Sequence, residues 1–259
     1  MKKFLVATTV LGIALAQTSS PIDPLELLGE DDSLYSYSFR LSYLPLGEQN
    51  INLSEDGLYS FTRVSQVASL NAEGIYNLSP TFSLGLNAGP QLVFIDEERT
   101  GLESGEVTNV SDTSSDWNGV FTVYYRPEHS GEVIPRISAG ISYPWGVVVE
   151  GSGIYVTDPV AISANVGYRQ DLEEDREEQA VFVGAGVGFV TNDKVSFSLS
   201  STYQVPINLA GVTAVALEFR TGYSPEPGVP QILSIVTNLT ASGGNTLIGL
   251  GLEWRGQDH

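Results

Sequence analysis

Glu218-Phe219-Arg220 and Glu253-Trp254-Arg255 repeat one spacing, a carboxylate and a guanidinium two residues apart. On an extended strand that spacing puts both side chains on one face, where they suit local pairing. Arg40, Glu73, Arg136, Glu150 and Arg169 fall on the equivalent polar face of their own alternating segments. Fixed charges of both signs on one face either pair as structural ion pairs or line a water-filled path and select among the ions that enter it.

Residues suited to covalent or metal chemistry are few. The chain has no Cys and two His, one in Glu128-His129-Ser130-Gly131 and the other at His259. Adjacent Glu, His and Ser do not make a relay, which is defined by geometry, so no catalytic residue is assigned. No phosphate-binding or dinucleotide fingerprint stands between a strand and a helix, no Cys/His metal set exists, and no cofactor is expected. Acidic clusters occur at Glu55-Asp56, at Asp96 to Glu98 with Glu103 and Glu106, and at Asp171 with Glu173, Glu174, Asp175, Glu177 and Glu178. They offer oxygen ligands to hard cations, but without spaced ligand motifs they support weak divalent binding at most.

The elements that must position these charges begin with an export leader. Lys2 and Lys3 precede an apolar run from Phe4 to Leu15 and the small-residue site Ala14-Leu15-Ala16, the layout of a cleavable signal over residues 1–16. Its apolar run is too short to span a bilayer as a helix. Loss of the two leader lysines leaves 10 Lys+Arg of the 12 against 31 Asp+Glu, a net charge of −21. Nucleic acid is excluded as a partner, because phosphate binding needs the opposite sign. Residues 17–32, with Pro21, Pro24 and an acidic cluster, read as a periplasmic N-terminal segment preceding a single domain over 33–259.

In that domain apolar and polar residues alternate with period two. Tyr35, Tyr37, Phe39, Leu41 and Tyr43 oppose Ser36, Ser38, Arg40 and Ser42, while Ile248, Leu250, Leu252 and Trp254 oppose Gly249, Gly251, Glu253 and Arg255. This is the pattern of half-buried strands. Twelve runs are expected, near 34–44, 62–76, 81–94, 117–126, 133–143, 146–156, 159–169, 179–190, 194–204, 212–223, 230–240 and 245–255, the even number a bacterial barrel needs. Short turns at 77–80, 157–159 and 191–194 mark one rim, expected to be periplasmic. Long loops at 45–61 and 95–116 and the shorter acidic loop 170–178 mark the other. Aromatics of the apolar face gather near strand ends: Tyr76, Phe82, Tyr125, Tyr155, Phe189, Tyr223 and Trp254 at the first rim, and Tyr43, Phe94, Tyr143, Tyr168 and Tyr203 at the second. Two such belts fit two membrane interfaces. The competing reading, a soluble β-sandwich, would bury its large aromatics mid-strand.

The leader, the dozen amphipathic strands and turns such as Tyr76-Asn77-Leu78-Ser79-Pro80-Thr81-Phe82-Ser83-Leu84 resemble outer-membrane transporters similar to the meta-pathway phenol-degradation family. The resemblance implies a barrel that admits small, often hydrophobic, solutes. The chain departs from many such barrels in ending Trp254-Arg255-Gly256-Gln257-Asp258-His259, without a terminal Phe.

The expectation is an all-β antiparallel transmembrane barrel in the bacterial outer membrane, in contact with its lipid. It would be a passive, non-enzymatic channel or transporter for small solutes, with Arg40, Glu73, Arg136, Glu150, Arg169, Glu218, Arg220 and Glu253 lining the path. The alternatives are a closed barrel acting through its acidic loops and a lipid-modifying enzyme built on His129.

Overall fold

Alternation of this kind has one stable outcome in a bilayer. Every backbone N–H and C=O must find a partner inside the protein, and a sheet does so only by closing on itself. The computed structural model describes residues 34–54, 57–101, 105–128, 131–172, 178–192, 194–208, 213–225, 231–242 and 245–258. The leader, the 17–32 segment, His129 and His259 therefore lie outside the described residues.

Twelve strands form one closed antiparallel barrel in which each pairs with its sequence neighbours and the first pairs with the last. They are β1 (Tyr35–Ser54), β2 (Gly57–Asn77), β3 (Phe82–Gly101), β4 (Val107–Tyr125), β5 (Val133–Tyr143), β6 (Gly146–Thr157), β7 (Val160–Asp171), β8 (Gln179–Asn192), β9 (Val195–Pro206), β10 (Ala214–Tyr223), β11 (Gln231–Ser242) and β12 (Asn245–Asp258). No helix among the described residues is long and apolar enough to cross a membrane.

The faces divide as the alternation requires. Leu70, Leu86, Ile141, Val166, Leu199, Leu217 and Leu250 are all exposed on the outside, which in water would be an aggregation hazard and in lipid is the solvated surface. The inward face carries Ser38, Ser42, Ser69, Asn71, Asn87, Ser198, Ser234 and Asn238. Some hydroxyls there are joined across strands, as Ser42 and Ser69 are at 2.6 Å.

The seam between β1 and β12 is dressed with aromatics on the lipid side. Phe39 stacks on Trp254 at 5.8 Å and 12°, and Tyr37 meets Trp254 edge-on at 5.3 Å. Gly256 makes room for this arrangement, since a Cβ there would sit 2.5 Å from the Tyr37 ring. Phe82 with Tyr125 at 4.9 Å and Phe189 with Phe197 at 5.3 Å dress the rim of the short turns.

The first four strands correct one expectation. Residues 45–61 and 95–116 are not long loops. β1 and β2 stay paired from Tyr35↔Tyr76 to Ser54↔Gly57, and β3 and β4 from Phe82↔Tyr125 to Thr100↔Val107. These hairpins run well past the rim set by the Tyr143–Gly146 turn of β5 and β6. On β4 alternation could not reveal the extension, because every residue from Val107 to Trp117 is exposed whichever way it points. Without a buried face no period is imposed, and backbone pairing alone continues the strand.

Candidate functional site

The inward charges fall mainly into two groups, one on β10, β12 and β1 and the other on β2, β5 and β6. On β10, β12 and β1 they form one bonded chain. Arg40 donates to Glu218 at 2.7 Å, Arg220 lies 3.0 Å from Glu218 and 3.1 Å from Glu253, and Arg255 donates to Glu253 at 2.6 Å. Strand register makes this possible, since Glu253 lies directly opposite Arg40 across the β1–β12 seam. Asn238 on β11 lies opposite Glu218. With its amide oriented to suit both neighbours, it donates to Glu218 at 2.9 Å and accepts from Arg40 at 3.1 Å.

These groups are deeply buried. The Arg220 side chain has no exposed surface and that of Glu253 has 3%. Small neighbours make the space, with Ser198 opposite Arg220 on β9 and Gly251 opposite Ser42 on β1. A buried guanidinium is tolerated only when paired and hydrogen-bonded, and the chain of contacts supplies that condition. The interlocking of the two Glu-X-Arg triplets into a single network, however, depends on which strands become neighbours, and the sequence does not state that.

The wall from β2 to β7 is built differently. Glu73 on β2 accepts from Ser38 at 3.5 Å, and Glu150 on β6 accepts from Asn165 of β7 at 3.3 Å. Arg136 on β5 stands 4.9 Å from the centre of the Tyr124 ring of β4, a cation–π distance. Tyr124 escaped the sequence reading, which treated aromatics only as membrane-facing. Its inward parity, opposite Ser83 and Ser138, was the available signal.

Arg169 belongs to neither group. Near the rim opposite the chain ends, it lies 3.6 Å from Asp171 and 3.8 Å from Glu178. Glu178 also accepts from Gln204 at 3.3 Å, and the backbone N–H of Asp171 donates to the Glu178 carbonyl at 2.9 Å. The two ends of the β7–β8 connection are thereby tied to a buried arginine. Burial holds the Glu178 carboxyl above its ordinary range, Arg169 opposes that rise and Asp171 adds to it.

The remaining acidic positions gather no metal site. Among the described residues no three His, Cys, Asp or Glu side chains are grouped to hold an ion. Asp96, expected in a loop, stands on β3 and accepts from Ser111 of β4 at 2.7 Å. Glu55, Asp56, Glu103 and 173–177 lie outside the described residues.

Of the aromatics expected at the rims, Tyr43, Tyr76, Tyr125, Tyr143, Tyr203 and Trp254 are exposed on the outer face, and Tyr155 and Tyr168 are half-buried there. A closed twelve-stranded antiparallel barrel, apolar outside and charged within, is the architecture of outer-membrane channels. No protein-family model matches the chain, and no curated protein does. Among solved structures, an outer-membrane channel from Pseudomonas putida F1 is similar over 92% of this chain and 100% of that one, at 13% identity and a TM-score of 0.52. The P. putida toluene transporter TodX is similar over 92% and 93% of the two chains, at 7% identity and a TM-score of 0.50. Identities this low show a shared fold.

Proposed function

We propose that this protein is an outer-membrane channel for passive passage of small solutes. The observation that carries the reading is the reversal of polarity across one closed sheet. The outer face meets lipid with aliphatic side chains and rims of tyrosine and tryptophan, while the inner face holds amides, hydroxyls and charges of both signs. A wall of that kind solvates a water-soluble solute and serves a purely hydrocarbon one poorly. The likeness to the phenol-degradation family, carried by the Tyr76–Leu84 turn, adds that small aromatic solutes bearing a polar group suit the path. The rim of short turns, which also carries both ends of the barrel, faces the periplasm, and the Arg and Glu residues of the interior set selectivity.

A second reading rests on the Arg220–Glu253 pair. Two deeply buried charges in contact across the intervening β11 are a brace as much as a lining, and a barrel braced throughout would conduct nothing.

Conductance of the refolded protein, residues 17–259, in a planar lipid bilayer at two salt concentrations separates the two. Steady steps that scale with salt are expected. A folded, inserted protein that stays silent overturns the channel and leaves the braced barrel.

A further inference from the structure

We infer that the path runs off-centre, along the β2 to β7 side of the barrel, and that Glu73 and Glu150, set against Arg136, make it prefer cations. The inference rests on the channel reading above and deepens it.

Two independent asymmetries coincide. The first is burial. Most inward residues from β8 round to β1 are buried, including Phe182, Ser196, Ser198, Gln204, Ser234 and Val236, while a minority such as Gly184, Ser200 and Thr202 are half-buried. From β2 to β7 the balance reverses: most inward residues, among them Asn71, Glu73, Tyr124, Arg136, Ser138 and Glu150, keep part of their surface open, and fewer, such as Gln91, Ile154 and Ala161, are buried. An inward side chain can be open only to the interior, so the free space lies against this wall.

The second asymmetry is pairing. On the packed side each carboxylate is held by two guanidinium groups, Glu218 by Arg40 and Arg220, and Glu253 by Arg220 and Arg255. Those two carboxylates are neutralised within the wall, and the surplus guanidinium charge of Arg40, Arg220 and Arg255 is buried there with them. On the open side the contacts of Glu73 and Glu150 are to the neutral donors Ser38 and Asn165, which do not cancel a carboxylate's charge. Glu73, next to the seam, also feels Glu253 and Arg220 of the packed side; Arg136 lies against the Tyr124 ring, near enough to Glu73 and Glu150 to be felt by both, but in an ion pair with neither among the described residues.

The charge that a permeating ion meets is therefore two carboxylates and one guanidinium. A surplus unit charge at contact distance in water changes the partition of a monovalent ion about fivefold. The surplus here is negative. The exposed Asp96, Asp112 and Asp116 on the projecting β3–β4 hairpin act in the same direction, by raising the local concentration of cations.

The test uses the reversal potential in a KCl gradient. Wild type should favour potassium over chloride about 25-fold, because the surplus charge attracts one ion and repels the other. Glu73→Gln combined with Glu150→Gln should bring the ratio to unity or below, and Arg136→Gln should raise it. A wild type that favours chloride, or a conducting double variant with an unchanged ratio, overturns the inference and leaves the channel standing. A wild type with no conductance overturns the channel itself.

Absence of native cysteine permits a second measurement that does not depend on the Glu variants folding. A charged thiol reagent should alter the conductance of Ser138→Cys, on the open wall, and leave Ser198→Cys, on the packed wall, unchanged. Equal modification of both would refute an off-centre path.

Discussion

Replacing Glu218 by Leu should destabilise the barrel more than any other single change in the interior network. Glu218 receives Arg40 at 2.7 Å and Arg220 at 3.0 Å, and their side chains are 10% and 0% exposed. Removing one member of a buried ion pair typically costs about 3–5 kcal/mol, because the partner stays buried and uncompensated. Here Arg220 keeps Glu253 at 3.1 Å, and Arg40 lies opposite the same Glu253. The loss should therefore fall at the low end, about 3 kcal/mol. Exchanging the whole group in Arg40→Met, Glu218→Leu and Arg220→Met leaves the Glu253–Arg255 contact at 2.6 Å and strands no charge. Substitution of a complete buried network by apolar residues of like volume is often neutral, so this triple variant should recover to within about 1 kcal/mol of wild type. Urea unfolding from lipid vesicles, followed by tryptophan fluorescence, measures both. A Glu218→Leu cost below about 1 kcal/mol, or a triple variant no more stable than the single one, would refute the view that the network braces the wall.

Three further outcomes follow from the same structure. Gly167→Ala should cost about 1–3 kcal/mol in that assay, because its Cβ would collide with the Phe182 ring and lie 2.7 Å from the Val149 carbonyl; Gly151→Ala, which meets nothing within 4 Å, is the comparison. Trp254→Ala removes the stack on Phe39 and the edge contact to Tyr37 and should lower stability by about 3 kcal/mol, read as a lower denaturant midpoint. Glu178→Gln should stabilise slightly at neutral pH, since wild type must ionise a carboxyl that burial holds above its ordinary value of 4.5. That advantage should fade as pH falls through the raised value and vanish below 4.5, where both proteins carry a neutral group; a gain that persists in acid would exclude ionisation as its cause.

Much of this architecture was legible because the membrane enforces it. Tyr35, Phe39, Leu41 and Tyr43 could face only one way once Ser36, Ser38 and Arg40 faced the other, and twelve such segments imply an even, closed sheet. The β4 extension was hidden for the converse reason: Val107 to Trp117 bury neither face, so selection leaves no period to read. The interior chemistry was half legible. Parity placed Arg40, Glu218, Arg220 and Glu253 on one face, but not the contact between Arg40 and Glu218, 178 residues apart. That contact exists because β1 closes on β12, which leaves only β12 and β11 between β1 and β10. The sequence equally could not separate Arg220, locked in a brace, from Arg136, resting on an aromatic ring.

Closure of the sheet has a consequence for how the protein is made. Every other pairing joins strands adjacent in the chain, whereas Tyr35 meets Asp258 across nearly the whole domain. Loop-closure entropy growing as the logarithm of length makes that last zipper about 3–4 kcal/mol harder to start than a tight hairpin. The first and last strands must wait, edges bare, until the ten between them are in place. The Phe39–Trp254 stack lies on the lipid side of this late seam, where it can form only after both ends of the chain have arrived, so it acts as a latch on assembly. Synthesis cut short before Trp254 would yield an open sheet with two sticky margins, a substrate for quality-control proteases.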